Sequence, residues 1–270
     1  GSSVLAVYVV AVLMPAFVLF SDGSRFDLEG RDSGAATAGL LEPLAWCAVS
    51  AAFIGAYGVT RECYYASMDR TLTGVGFRRA FSGKLVAGTL IALAVSICIF
   101  VFWTAGVSVI LLRNGLSLSL TSDAWRIYGG ALVGVVLGAL IGGAIGWIAR
   151  NYYVTAAIVL VLPMVLEFAL LRTAPELARF SPGLVLAAVS VPGYQDRLLD
   201  FAPALGIAIV WAVALVAVAS QAGAQTTLNV RDADIRAFIA DAAKVTGRTF
   251  IIDSRVTGKV TVVTDRPLSR

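Results

Sequence analysis

Six apolar runs leave this chain few folds to choose from. Residues 4–20, 40–59, 85–112, 128–148, 154–171 and 204–219 carry almost no charge, and each approaches the roughly 20 residues a helix needs to cross a bilayer. Inside lipid every backbone N–H and C=O must be satisfied within the segment or across a closed barrel, and continuous runs of this length select the helix. The expectation is therefore an all-α polytopic membrane protein with six transmembrane helices. The first and last runs are short, whereas the third is long enough to tilt or to project beyond the lipid. Composition agrees, with 59% hydrophobic and 14% charged residues against about 45–50% and about 25% in soluble domains.

Orientation follows from the interval between the second and third runs. Residues 60–84 read TRECYYASMDRTLTGVGFRRAFSGK, with Arg61, Arg70, Arg78, Arg79 and Lys84 against Glu62 and Asp69. A short basic connector stays in the cytoplasm, and with six spans both chain ends then lie there too. The remaining charge is scattered and amounts to +4, which sets topology and offers no footprint for nucleic acid. The chain has no histidine, so a Ser-His-Asp triad and a His-ligated metal are excluded. Cys47, Cys63 and Cys98 have no paired spacing, which speaks against a disulfide framework or a zinc site.

Several positions within the runs carry structural meaning. Residues 21–38, rich in Asp, Gly and Ser, read as a solvated outer connector. Glu42-Pro43 suits the first turn of the second helix, where an acid complements the dipole and proline lacks no partner. Gly130, Gly134, Gly138, Gly142 and Gly146 form a ladder at i+4 spacing that admits a neighbouring backbone, and its first reading is helix packing. Arg150-Asn151 makes a very short inner turn. Pro163 should kink the fifth helix. Glu167 is an ionisable residue at membrane depth, a class of position that marks function unless it reaches the interface. Residues 184–191 are apolar but too few to span, so residues 172–203 should hold a re-entrant or interfacial piece between Ser181-Pro182-Gly183 and Pro192-Gly193.

Taken in order, Glu62, Ser67, Thr71, Leu72, Arg78, Arg79, Gly83 and Lys84, the glycine-rich fourth helix, the Arg150-Asn151 turn, Leu166-Glu167 and ARFSPG at 178–183 resemble the permease of the type-two ABC exporter family over residues 4–219. The resemblance implies a transport subunit, not an enzyme, in the bacterial inner (plasma) membrane as a multi-pass protein. It implies a second permease unit and a separate ABC ATPase subunit docked on residues 60–84 as a coupling segment. The chain lacks a GxxxxGK[ST] phosphate loop, so no cofactor is expected in it, and ATP and Mg would sit on the partner ATPase.

Past residue 225 the composition turns to that of a soluble domain. TLNV reads as a strand, Asp234 can cap a helix with Ile235, Phe238, Ile239 and Ala242 on one face, and RTFIIDS and KVTVVT read as two further strands. This is a small C-terminal α+β fragment of order β-α-β-β. The stretch 228–263 resembles the first periplasmic domain of a type II secretion secretin, and residues 212–225, ending in Ala222-Gly223-Ala224, resemble a secretory signal with its cleavage site. That resemblance implies a periplasmic domain that helps contact the inner-membrane platform.

The domain reading is thus a permease region over 1–219, a linker over 220–225 and a partial secretin-like domain over 226–270. Six spans put the tail in the cytoplasm, whereas the secretin resemblance puts it outside, and residues 204–219 serve either as a last helix or as a signal core. A chimera is the expectation that reconciles them. The leading functional expectation is the exporter permease; the alternative is a type II secretion component whose tail is functional and whose last apolar segment anchors or targets it.

Overall fold

The computed structural model describes residues 16, 28–65, 68, 71, 76–192, 197–222, 230–246, 249–250, 253 and 257–262. The first apolar run lies outside the described residues except for Ala16, which is helical. Five helical stretches among the described residues are long and apolar enough to cross a membrane: Ser33–Tyr64, Phe77–Arg113, Ser122–Ala149, Tyr152–Thr173 and Phe201–Gln221. The expected count of six is met for five of its members, and the sixth falls on residues not described.

The first of these stretches begins earlier than its hydropathy suggests. Asp32 accepts hydrogen bonds from the N–H groups of Gly34 and Ala35 and so starts helix α1, Ser33–Leu41, inside what reads in sequence as a solvated connector. A side-chain oxygen at the N-cap supplies what the first turn lacks, so residues 33–38, three of them alanine, become helix. Glu42–Trp46 tightens to a 3₁₀ segment with Pro43 near its start, and α2 follows over Cys47–Tyr64. Glu42-Pro43 therefore marks a mid-span irregularity and not a helix start. The indole N–H of Trp103 donates to the Leu40 carbonyl at this junction at 2.9 Å.

Helix α3 runs 37 residues, Phe77–Arg113, about 55 Å at 1.5 Å per residue, well beyond the ~30 Å hydrocarbon core. It ends in a Schellman motif: Gly115 takes φ +73°, its N–H bonds Leu112 O, and Leu116 N–H bonds Leu111 O. One side of α3 is bare. Val101 is 64% and Phe102 77% exposed, as suits a lipid-facing surface. Helix α4, Ser122–Ala149, returns.

Helices α2 and α4 lie parallel, and the glycine ladder is where they touch. A Cβ at Gly138 would stand 2.4 Å from Ala48 O, one at Gly142 1.8 Å from Ala52 O, and one at Gly146 3.1 Å from Ala56 O. From the facing side, a Cβ at Gly55 would stand 2.2 Å from Ala139 O. Glycines four apart thus meet alanines four apart, backbone against backbone. The outer end of the ladder serves another partner as well: a Cβ at Gly130 would meet Val189 O at 2.3 Å, and one at Gly134 lies between the two, 3.4 Å from the Ala48 Cβ and 3.5 Å from Leu186 O.

That second partner is the re-entrant piece. Helix α5, Tyr152–Ala156, passes into π-helical turns over Ala157–Glu167 that contain Pro163, then into α6, Phe168–Thr173. Missing one donor, proline is accommodated here by a wider helical repeat. A single turn α7, Pro175–Ala178, leads to α8, Pro182–Ser190, whose residues Gly183 to Ser190 are all buried. Helix α9, Phe201–Ala222, packs with α4 and α8 around Val185, Val189, Ala204 and Ala208.

The tail comprises β1, Val230–Asp234, α10, Ile235–Thr246, and β2, Lys259–Val262. The strands pair antiparallel, Ala233 with Val260 and Asp234 with Lys259. The expected middle strand over residues 248–254 falls largely outside the described residues, and Thr249 and Phe250 are not in a strand. The chain is mostly helical with almost no strand.

The backbone contact gives a direct test. Gly142→Ala should lower stability in detergent by about 1–3 kcal/mol because the new methyl meets a carbonyl that cannot yield, while Gly129→Ala, with open space around it, should leave the unfolding midpoint unchanged or slightly raised. Thermal unfolding of the two variants side by side decides it.

Candidate functional site

Three places hold polar chemistry in an otherwise apolar chain. The first joins the inner ends of α2 and α3. Lys84 Nζ lies 2.5 Å from Glu62 Oε1 and donates to Gly58 O at 3.2 Å, while Thr71 Oγ1 donates to Glu62 Oε2 at 2.8 Å. Both charged side chains are partly covered, 16% and 28% exposed, so the pair is screened less than a surface one. Of the residues singled out in this segment, the fold brings together Glu62, Thr71 and Lys84. Arg78, Arg79 and Gly83 are exposed on α3, and Ser67 and Leu72 lie outside the described residues.

Beside this pair stands a cluster that hydropathy does not disclose. Tyr64 contacts Tyr65, Tyr152 and Tyr153 with ring centroids 5.1, 6.3 and 6.3 Å apart, and Phe53 meets Tyr152 edge-on. Aromatic rings gather at the bilayer surface, where one end of the ring is apolar and the other wet. Arg61, Arg78, Arg79 and Arg150 lie at the same ends of their helices, so the cluster stands where the apolar stretches give way to charge, as suits a membrane–water boundary. Two signals carried it in sequence, the tyrosine pairs 64–65 and 152–153.

The second place is Glu167, which is 1% exposed. Its carboxylate accepts from Gly183 N–H at 3.1 Å and Leu184 N–H at 2.9 Å, so it caps α8 from another helix. It does not reach the interface from the end of its own helix; the re-entrant segment comes to it. Orphan donors at a helix start and a carboxylate at its positive end satisfy one another. A cavity of about 300 Å³ lies beneath, lined by Val49, Ile145, Leu162, Pro163, Leu186 and Trp211 among other apolar side chains.

The third place is the tail. Arg236 N–H donates to Asp234 Oδ1 at 2.8 Å, and Ile235 N–H donates to Gly258 O at 2.9 Å. Asp234 thus ends β1 and starts α10, and the loop before β2 closes onto the same point. Among the described residues no three His, Cys, Asp or Glu side chains gather to hold a metal ion.

Replacing Glu167 tests its role. Glu167→Ala removes the acceptor of two buried donors and should cost about 1–3 kcal/mol, exposing residues 174–181 to protease. Glu167→Gln keeps one acceptor and should fall between.

Comparison with known proteins bears on the tail. Residues 228–270 match a family model described as the GspD-like N0 domain. The chain is also similar to the secretin XcpQ of Pseudomonas aeruginosa, 46% identical over 56 residues, which is 21% of this chain and 8% of that protein. The chain thus spans well under a tenth of the length of that relative. No solved structure matches the chain. These matches correct the functional expectation built on the membrane segments. Both point to type II secretion, and neither supports an ABC exporter permease. The partners expected with that reading, an ABC ATPase subunit and a second permease unit, are withdrawn for the same reason. Helix count, a basic connector and a glycine-rich span are common to many bundles, and so the order of generic features misled where the denser tail motif did not.

Proposed function

We propose that this chain is a membrane-borne component of a type II secretion system, with residues 228–270 serving as a GspD-like N0 domain in the bacterial envelope. The observation that carries the reading is the tail match: a family model covers residues 228–270, and a secretin is 46% identical over 56 residues. The described tail has a matching logic of construction, with β1, α10 and β2 joined at Asp234 and Gly258. A strand–helix–strand unit of this size buries little apolar surface alone, which suits a domain completed by contact with its neighbours.

The role is the one that the secretin resemblance implies. It is a docking domain and not a catalyst, and its partners are other components of the secretion machinery, foremost the inner-membrane platform. Counting spans from a cytoplasmic connector at 60–84 returns Ala222 to the cytoplasm. The reading therefore requires α9 to send the tail outward, either staying as its anchor or acting as a secretory signal that is processed after Ala224.

Sidedness tests this. In a background with Cys47, Cys63 and Cys98 replaced, Thr257→Cys should react with a thiol reagent that passes the outer membrane but not the inner one. The chain should also copurify with type II secretion components after crosslinking. Labelling only after the inner membrane is broken, with residues 226–270 still attached to α9, would contradict the reading.

A further inference from the structure

The region upstream of the tail holds a binding site of its own. Helices α2 and α3 touch where a Cβ at Gly88 would lie 3.1 Å from the Gly55 Cα, and toward their inner ends they part around a groove of about 550 Å³. Its two halves differ in chemistry. Part of its lining is apolar, from Ile54, Ala87 and Ile91; the rest carries Arg61, Glu62, Lys84 and Tyr65. Ile91 is 51% exposed and continues onto the lipid-facing surface formed by Val86 and Leu90. Both helices thus contribute an apolar part, Ile54 from α2 with Ala87 and Ile91 from α3, and a polar part, Arg61, Glu62 and Tyr65 from α2 with Lys84 from α3, so the groove is apolar at one end and polar at the other, beside the tyrosine cluster.

Charge selects the occupant. Lys84 gives one donor to Glu62 and one to Gly58 O, which leaves the third of its three N–H groups. Glu62 is held by Lys84 and Thr71, and Arg61 is exposed. Among the described residues that line it, two cations stand against one carboxylate, a net single positive charge, and a guanidinium suits a phosphodiester. We infer that the groove between the inner ends of α2 and α3 binds one anionic phospholipid, with its phosphate on Arg61 and Lys84 and an acyl chain along Ile54, Ala87 and Ile91. A free phosphate would use the polar half alone; an acyl chain uses both. Basic pockets between spanning helices on the positively charged side of a membrane protein hold anionic headgroups in this way. The site does not depend on the secretion reading, since it uses no residue of the tail.

The test uses the full chain in neutral detergent micelles, titrated with phosphatidylglycerol, phosphatidylcholine or inorganic phosphate while thermal unfolding is followed. Ligand that binds only the folded state raises the midpoint. Phosphatidylglycerol should raise it and the other two should not. Arg61→Gln should weaken the phosphatidylglycerol response about fivefold in concentration, the effect of one cation near a lipid surface, whereas Arg78→Gln, outside the groove, should leave it unchanged. Equal response to phosphatidylcholine, or no difference between the two arginine variants, would overturn the site, and an equal response to inorganic phosphate would overturn the lipid. Should Arg61→Gln fail to fold, Ala87→Trp decides instead: it fills the apolar half and should abolish the shift, and an undiminished shift would overturn the site.

Discussion

The bundle depends on a contact with no side chain in it. Gly138, Gly142 and Gly146 face the carbonyls of Ala48, Ala52 and Ala56 at separations that leave no room for a Cβ. Water cannot drive helices together in lipid, because tails are as apolar as leucine; close packing and weak backbone contacts must do it. A parallel pair this close sets the position of everything else. Helix α3 packs across both, with Leu85 against Gly143 and Gly88 against Gly55, and α8 fits into the outer end of the same ladder. Helix α9 is left on the outside of α4 and α8, largely exposed.

Two covered carboxylates, Glu167 and Glu62, sit where this scaffold leaves polar groups to be satisfied. A helix that begins buried in the bundle, as α8 does, has donors with no partner in its own first turn, and Glu167 supplies the acceptor from a neighbouring helix. The burial of that carboxylate and the existence of the re-entrant helix explain each other. Glu62 and Lys84 play the corresponding part at the inner ends of α2 and α3, tying two helices where the close glycine contact has ended. In the tail, Asp234 does so on a smaller scale.

Much of this was legible from residues alone, and the exceptions have physical causes. Hydropathy located the five described apolar helices, and the i+4 glycines announced a close approach without saying to what; only the fold shows that three rungs face α2, that Gly130 faces α8 and that Gly134 lies between them. Ser33 to Ala38 misled because the Asp, Gly and Ser residues before them extend a loop signal into them unless the cap at Asp32 is counted. Pro43 misled because a proline early in an apolar run suits a helix start as well as a 3₁₀ junction. Glu167 was visible as an acid at depth, but its partners lie 16 and 17 positions away in sequence, across a segment whose return no periodicity reports. Function was clearest where side-chain identity is dense, in residues 228–263, and least clear in the spans, where lipid accepts many sequences.

The most direct measurement on this account is a crosslink across the parallel pair. A Cβ at Gly146 stands 3.5 Å from the Ala56 Cβ, within the ~3.5–4.5 Å that a disulfide spans. In membranes, a chain without Cys47, Cys63 and Cys98 but with Ala56→Cys and Gly146→Cys should oxidise within one molecule, so that its fragments stay joined after cleavage in the 114–121 loop until reductant is added. A chain that gives only intermolecular links, or that links Ala56→Cys to Gly129→Cys as readily, would contradict the parallel glycine–alanine contact on which the bundle rests.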